Sequence, residues 1–302
     1  MMRLSYLILL TLTIAMFSSC NTKTSSEDHS FKVMTWNIWH GGVHGTKLNK
    51  FKKDRSNTIN IQKVLEQNEA DVLFMQETYC CGMEIAKKAG YVYSSRGNSN
   101  LSIHSKFPIV EEVKYLKGRN SQGVVVKIQG KRVLCVNIWL NWLPDYLTYV
   151  DTLSVDSIIA GEHSTRAKEM SDILARIDSV NMRLKLPVVM GGDFNSSSHL
   201  DWNEKNKQWH FNKILKWPTS IMTMEKGFKD SYRTIYPTPN VKEEITWGFH
   251  GEAGYVMSDR IDFIYYTPSM LDVLSSMIVK DDPKGAFFSS DHRAILSSFR
   301  FK

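Results

Sequence analysis

Cysteine is scarce in this chain, and so are the patterns that cysteine usually builds. The 302 residues include four cysteines, and no Cys/His spacing matches a structural zinc site. Cys135 lies in an apolar stretch and is best interpreted as a buried small hydrophobe. The adjacent Cys80 and Cys81 can pair only as a vicinal disulfide. Without a disulfide framework, the hydrophobic core must supply the stability.

The chain also lacks an internal repeat and any linker after Ser30. These two absences predict one domain over residues 31–302. It has neither a serine-nucleophile elbow nor the two-histidine helix of zinc proteases, which argues against those classes of hydrolase. The formal net charge of +7 suits an anionic substrate but is weak evidence for nucleic-acid binding.

The one long apolar run is at the amino terminus. Residues 4–17 are too few to span a bilayer comfortably, and two serines then precede Cys20. This pattern predicts an export signal over residues 1–19. Its ending resembles the bacterial lipobox, which implies lipidation of Cys20 and a membrane-anchored lipoprotein of the bacterial cell envelope; a plain secretory signal cut elsewhere is the alternative. The polar residues 20–30 predict a flexible tether.

Strand-like runs are frequent and helical patterns are few. The runs at 31–36, 71–75, 123–128, 133–138, 187–190, 260–266 and 294–299 predict strands, many with β-branched or aromatic residues. Apolar residues at a 3.6-residue period predict helices at 57–68 and 163–182. Because strands occur in clusters as well as beside helices, we expect a layered α/β sandwich.

Two long connections, 141–162 and 196–220, are polar and poorly periodic, as segments that serve a site often are. They contain Trp142, Tyr146 and Tyr149, and then Trp202, Trp209, Phe211 and Trp217 with Lys205, Lys207, Lys213 and Lys216. Such side chains either stack on bases, a sugar or a lipid headgroup, or pin the loops to the domain. The sequence leaves both interpretations open.

Polar side chains stand at or near the ends of several predicted strands. They are Asn37, Glu77, Asp193, Asn195, Asp262, Asp291 and His292. One acid in such a place is usually a turn or cap residue. Several that can converge at one edge of a sheet indicate a site.

The residue types fit phosphate chemistry at a hard cation. Mg²⁺ and Mn²⁺ prefer oxygen ligands, which Asn37, Glu77 and Asp291 would supply. Asp193 and Asn195 are two apart, so extended backbone would place both side chains on one face. There they would orient a water molecule and a phosphoryl oxygen.

A histidine beside an acid completes the set. His292 has a pKa range suited to contacting phosphate or moving a proton. Asp262 would fix its tautomer.

Five ordered motifs resemble the signature of the endonuclease/exonuclease/phosphatase superfamily, which includes deoxyribonucleases, apurinic endonucleases, sphingomyelinases and inositol polyphosphate phosphatases. They are Thr35-Trp36-Asn37-Ile38, Gln76-Glu77, Gly191-Gly192-Asp193-Phe194-Asn195, Arg260-Ile261-Asp262-Phe263-Ile264 and Ser290-Asp291-His292. Each motif alone is weak. Five in the right order, over essentially all of the mature chain, are a specific match.

The resemblance implies an α/β fold, a four-layer sandwich with two central mixed β-sheets flanked by helices. It also implies Mg²⁺ (or Mn²⁺) as the cofactor. The implied metal residues are Glu77, Asn37 and Asp291, and the implied catalytic residues are His292, Asp193, Asn195 and Asp262.

One position departs from the family pattern. Many members carry a catalytic His or Tyr where this chain has Trp139, and an indole donates one hydrogen bond and cannot be protonated. His40 is a candidate replacement at the substrate, although a loop histidine is more often structural. Trp247 lies in a region that is often near the site in relatives.

Together these features predict a metal-dependent phosphoesterase that hydrolyses a phosphodiester or phosphomonoester by in-line attack of water. The open substrate classes are nucleic acid, a phospholipid headgroup and a small organophosphate. A secreted nuclease acting on DNA or RNA is one alternative, and a catalytically silent binding protein on the same fold is another. We expect a monomer.

Overall fold

The computed structural model describes residues 29–43, 56–248, 258–280 and 289–302. The predicted export signal, Cys20 and nearly all of the predicted tether lie outside the described residues. Within the described ranges, no helix combines the length and the apolar character needed to cross a membrane.

Two six-stranded sheets form the centre of the molecule. The strands are β1 (Ser30–Asn37), β2 (Val72–Gln76), β3 (Tyr93–Arg96), β4 (Leu101–Ser105), β5 (Ile109–Glu112), β6 (Ser121–Ile128), β7 (Lys131–Trp139), β8 (Val188–Asp193), β9 (Lys229–Asp230), β10 (Asp262–Tyr266), β11 (Leu271–Val279) and β12 (Ala294–Phe301). The first sheet has the order β11-β12-β1-β2-β4-β3, and the second β5-β6-β7-β8-β10-β9. Both sheets are mixed, because β1 pairs in parallel with β2 and β7 with β8, whereas the other pairings are antiparallel.

Helices cover the outer face of each sheet. They are α1 (Ser56–Asn68), α2 (Gly82–Lys88), α3 (Val155–Ser164), α4 (Arg166–Leu184), α5 (Pro218–Glu225) and α6 (Ser231–Ile235). One apolar cluster joins α1 and α2 to the first sheet, another joins α4 to the second, and a third lies between the sheets. The predicted four-layer α/β sandwich is confirmed.

Burial on both faces explains the apolar runs in the central strands. In β2, Phe74 packs between the sheets while its neighbours Leu73 and Met75 pack under the helices. A strand buried on both sides has no polar face, so its sequence is continuously apolar.

Two buried side-chain amides join the sheets near the carboxyl ends of β2 and β7. Gln76 Nε2 donates to Asn137 Oδ1 at 2.6 Å. Asn137 Nδ2 donates to the carbonyl oxygens of Met75 at 2.8 Å and Ser102 at 2.9 Å. Asn137 therefore ties β7 of the second sheet to β2 and β4 of the first.

The helix predicted at 163–182 corresponds to α4. The shorter α3 precedes it and was not predicted, and Thr165 takes a non-helical backbone conformation between the two helices. A second local prediction was wrong. The connection predicted at 141–162 is shorter than expected, since α3 begins at Val155, capped by Ser154, whose hydroxyl accepts a hydrogen bond from Ser157 N at 3.1 Å.

Candidate active site

The predicted site residues converge at one end of the sandwich. The carboxyl ends of β1, β2 and β8 meet there with the amino ends of β10 and β12. A cavity of about 360 Å³ opens at this end. Its walls include Glu77, Asp193, Asn195, Asp291 and His292, whereas Asn37 and Asp262 are fully buried just behind the wall.

Asn37 is the hub that holds two of the carboxylates together. Its Nδ2 donates to Glu77 Oε1 at 3.1 Å and to Asp193 Oδ2 at 3.0 Å. Its Oδ1 accepts a hydrogen bond from the backbone N of Trp39 at 3.0 Å. The amide thus turns its nitrogen, not its oxygen, towards the acids and positions both carboxylates, and its role as a metal residue stays a prediction.

Glu77 follows β2 in a left-handed backbone conformation with φ of 54°. Asn100 stabilises this turn, because its Oδ1 accepts a hydrogen bond from Glu77 N at 2.8 Å. The backbone N of His40 donates to Glu77 Oε2 at 2.9 Å. Sequence reasoning missed Asn100, whose contribution depends on β4 pairing with β2.

Asp193 and Asn195 are adjacent for a different reason from the one predicted. Asn195 is not in extended backbone but has φ of 46°. Its backbone N donates to Asp193 Oδ1 at 2.9 Å, and its Nδ2 donates to Asp193 Oδ2 at 3.1 Å. A second bond from Nδ2 to Leu140 O, at 2.9 Å, fixes the amide. A tight turn therefore brings the two side chains together.

Gly192, just before Asp193, allows β8 to lie very close to β7. A Cβ at Gly192 would be 1.8 Å from the carbonyl oxygen of Ile138, and φ is 156°. Only glycine fits this approach. In the Gly-Asp pair of the motif, the glycine is therefore required for packing, and the aspartate that follows it supplies a carboxylate to the site.

His292 forms the predicted pair with Asp262. Its Nδ1 lies 2.9 Å from Asp262 Oδ2. Since a carboxylate accepts, Nδ1 carries the proton in this contact. Trp36 Nε1 donates to the carbonyl oxygen of His292 at 3.0 Å, and Thr246 Oγ1 accepts from Asp262 N at 3.1 Å. These contacts fix both partners, and sequence reasoning missed Trp36 and Thr246.

The other ring nitrogen faces the acids of the cleft. His292 Nε2 is 3.8 Å from Asp193 Oδ2 and 4.0 Å from Asp291 Oδ1. Burial acts to lower the pKa of His292, but Asp262, Asp193 and Asp291 outweigh it and raise that pKa well above 6.5.

Burial and neighbouring acids raise the pKa values of the cavity carboxylates, whereas an ordinary salt bridge lowers the pKa of a carboxyl group. Burial, aided by Asp262, raises the pKa of Asp193 to about 7, although His292 counteracts this. Burial and the nearby Glu77 raise the pKa of Asp291 to about 6. Both acids would be stabilised as carboxylates by a cation.

The donor set fits a hard divalent cation. Glu77, Asp193 and Asp291 supply carboxylate oxygens at one cavity, with no thiolate among the described lining residues. A tighter group, Asp193, Asp262 and His292, has one potential ligand atom each within 4.8 Å of the others. Asp262 and His292 are already hydrogen-bonded to each other, whereas the carboxylates of Glu77 and Asp291 line the cavity and could hold a cation.

The predicted substrate residues all line the cavity. Trp139 is the last residue of β7 and lies opposite Asp193 in the parallel pairing. Trp247 forms an isolated bridge with His292. His40 is half exposed and stacks on Tyr79, with ring centroids 5.4 Å apart. Trp142 and Tyr146, from the long connection, complete an aromatic wall.

In the second long connection, 196–220, the aromatic side chains mainly hold the loop against the domain. Trp202 and Trp217 are fully buried and pack edge to face at 5.3 Å, so neither can stack on a base. Lys213 Nζ donates to the carbonyl oxygens of Val150 and Asp151, which joins the two long connections. Trp209 and Phe211 are exposed.

The cysteines follow the sequence-based interpretation. Cys80 and Cys81 form a vicinal disulfide shortly after Glu77. Cys135 is buried between the sheets.

A protein-family model and one relative match most of this chain. The family model described as "Endonuclease/Exonuclease/phosphatase family" matches residues 34–292. An uncharacterized protein of Caenorhabditis elegans, F14F9.5, is 27% identical over 337 aligned positions, which cover all of this chain and 99% of that protein.

Two solved structures show the same fold at low identity. The catalytic domain of human Nocturnin with bound sulfate anion has a TM-score of 0.60 at 15% identity and covers 91% of this chain and 95% of its own. An AP endonuclease from Archaeoglobus fulgidus has a TM-score of 0.60 at 17% identity and covers 88% and 98%.

Proposed function

The chain belongs to the endonuclease/exonuclease/phosphatase family, and from this premise we propose that it is a divalent-metal-dependent phosphoesterase. The observation that carries the proposal is the buried His292–Asp262 pair, whose other ring nitrogen contacts Asn37 Nδ2 at 3.4 Å and faces Asp193 and Asp291 at one cavity. Burying several charged groups together costs free energy, and such clusters are typical of functional sites.

The residues divide the work of in-line water attack. Asp193 has a pKa near 7 and is oriented by Asn37 and Asn195, which suits it to accept a proton from the attacking water. The surrounding acids raise the pKa of His292, which favours the protonated ring, and its Nε2 lies at the cavity, where it would donate to a phosphoryl oxygen. A Mg²⁺ or Mn²⁺ at Glu77 and Asp291 would neutralise charge on the phosphate and the leaving oxygen.

The first test is hydrolysis of bis(4-nitrophenyl) phosphate by the purified protein. We expect activity that EDTA abolishes and Mg²⁺ or Mn²⁺ restores. His292→Ala should lower kcat by about 10³-fold, as expected for loss of a proton donor. His163→Ala, an exposed histidine on α3, is the matched control. Equal activity of the two variants would remove His292 from the mechanism.

The substrate class requires a screen with added metal against DNA, RNA, sphingomyelin, inositol phosphates and nitrophenyl monoesters and diesters. A secreted nuclease is the second candidate, because the structurally similar Archaeoglobus protein is an AP endonuclease. Turnover of nucleic acid would select it, and turnover of lipid alone would exclude it. Failure of every substrate, with metal bound, would favour the catalytically silent alternative.

We also propose that the protein is exported and anchored through a lipidated Cys20. The support is the apolar run and the small residues before Cys20 in the sequence. Mass spectrometry of the mature amino terminus tests this directly. An unmodified Cys20, or a mature chain that begins elsewhere, would contradict it.

A further inference from the structure

The end of the sandwich opposite the cavity has a distinct chemistry. β1 runs from Ser30 at that end to Asn37 beside the cavity, and eight extended residues span about 25 Å. The β6–β7 hairpin turns at the same end, where Ile128 pairs with Lys131. Gln129 Nε2 contacts the carbonyl oxygen of Ser30 at 3.5 Å. We call this end the basal pole.

Basic side chains predominate at the basal pole. They are Lys32, Lys106, Lys127, Lys131, Arg132, Arg300 and Lys302, and the acids near them are Glu69, Asp71 and Asp272. Asp272 contacts Arg300 at 3.5 Å and Lys302 at 3.4 Å. In the described part of the chain, no acid forms an ion pair with a basic residue of the hairpin.

The β6–β7 hairpin carries several positive charges close together, although their repulsion destabilises the strand pairing. Lys127 and Arg132 are directly opposite each other in an antiparallel pairing, and both are exposed. Like charges in such a pair are destabilising. Lys131 projects to the other side and lies over the ring of Phe301 at 5.3 Å. Lys127, Lys131 and Arg132 together form a positively charged edge of the second sheet.

The cavity end has the opposite character. Among the described residues, its wall carries Glu77, Asp145, Asp193 and Asp291, and the arginine there, Arg166, is ion-paired with the buried Glu162. In this part of the chain, acids therefore line the cavity and bases predominate at the basal pole.

We propose that the basal pole docks on an anionic phospholipid surface and thereby turns the cavity towards the aqueous phase. Each Lys or Arg near such a surface contributes about 1 kcal/mol of attraction. The described chain begins at His29 beside this pole, and residues 20–29 can span at most about 35 Å. A chain anchored at Cys20, as proposed above, would therefore keep this pole near the membrane surface.

The test measures vesicle binding by the full chain carrying Cys20→Ser, which cannot be acylated at that position. Vesicles of phosphatidylcholine with about 30% phosphatidylglycerol are compared with pure phosphatidylcholine, which reports any contribution of the apolar amino terminus. We expect charge-dependent binding that about 0.5 M NaCl largely removes, because salt screens exposed charges.

Two double variants with the same change in net charge locate the surface. Lys127→Glu with Arg132→Glu should lower the partition coefficient on the anionic vesicles by at least about 30-fold, the loss of two attractive charges at about 1 kcal/mol each. Lys168→Glu with Lys205→Glu, two exposed lysines away from the hairpin, should change it by less than about 3-fold. Thermal unfolding and hydrolytic activity should be alike in both variants, which separates docking from catalysis and folding.

Three results would overturn the proposal. Equal loss in both variants would mean that only net charge matters, and equal binding to both kinds of vesicle would exclude an anionic surface. If the hairpin variant instead lost affinity for a short DNA duplex while vesicle binding stayed unchanged, the pole would be a nucleic-acid surface.

Discussion

His292 takes its chemistry from residues that are distant in the chain. Asp262 holds Nδ1, Trp36 holds the backbone carbonyl, and Asp193 faces Nε2. The histidine is thus fixed in orientation, and its acidic neighbours raise its pKa and favour the protonated ring. Single substitutions around it should change the reaction more than the stability.

Asp262→Asn tests the pairing. An amide at this position has almost the same shape but loses the negative charge and favours the wrong imidazole tautomer. We expect kcat to fall by about 10²- to 10⁴-fold at saturating Mg²⁺. The matched control is Asp178→Asn, which removes a surface ion pair with Lys226. Wild-type kcat in Asp262→Asn would contradict a positioning role for Asp262.

Sequence reasoning found the side chains of the site but not all of their supports. Asn37, Glu77 and Asp193 could be predicted because each follows an obvious apolar strand. Asn100 and Thr246 could not, since each acts on a backbone group that reaches it only after the sheets have formed.

The buried charges behind Asp262 were missed for the same reason. Arg260 is fully buried, and its guanidinium donates to Asp230 at 2.7 Å and Asp201 at 2.8 Å. The three residues are far apart in sequence, and no local pattern pairs them. Their contacts anchor the strand that begins with Asp262.

At the scale of elements, the close approach of β7 and β8 places Asp193. The pairing brings Ile138 opposite Gly192 and Trp139 opposite Asp193. A side chain at Gly192 would push the strands apart at the point where Asp193 leaves the sheet.

Gly192→Ala should therefore be damaging despite its small size. We expect a loss of about 2–4 kcal/mol in unfolding free energy from the backbone clash and the strained φ, together with reduced kcat. Urea denaturation and the nitrophenyl assay measure the two effects. Gly130→Ala is the control, because φ is also positive there but no atom lies within 4 Å of the added Cβ. Similar stability losses would show that φ alone, not the clash with Ile138, is responsible.

Secondary structure could be predicted where burial gave a clear pattern. The central strands β1, β2, β7 and β8 were predicted to within a few residues because both of their faces are buried. β11 was missed, since it is an edge strand with a bulge between Val273 and Ser275 and has several exposed positions. Its mixed apolar and polar residues follow no single period.

For the whole molecule, the acidic cavity couples stability to pH. Asp193 and Asp291 have pKa values raised from 3.8 to about 7 and about 6, so each binds its proton more tightly in the folded state. Their contribution to stability is complete below about pH 4 and is lost as the pH rises through 6 and 7. His292, with a raised pKa, also contributes stability that disappears above its folded pKa.

The metal-free protein should therefore have a lower Tm at about pH 8 than at about pH 5. Because a cation favours the ionised carboxylates, Mg²⁺ should raise the Tm more at the higher pH, by at least about 3 °C. Calorimetry with and without Mg²⁺ measures this. Asp291→Asn should abolish most of the Mg²⁺ effect, and Asp272→Asn, at the basal pole, should not. A Tm that rises between the two pH values without metal would contradict the assignment.

The hydrogen bonds of Asn137 between the two sheets limit how this protein can admit a ligand to the cavity. A clamshell opening of the two halves would break the bonds of Asn137 to Gln76, Met75 and Ser102, and each orphaned buried group would cost about 1–3 kcal/mol. The two halves must move as one rigid block. Any gating therefore falls to the rim, where Trp142 and its neighbours project from a segment that contains no helix until Val155.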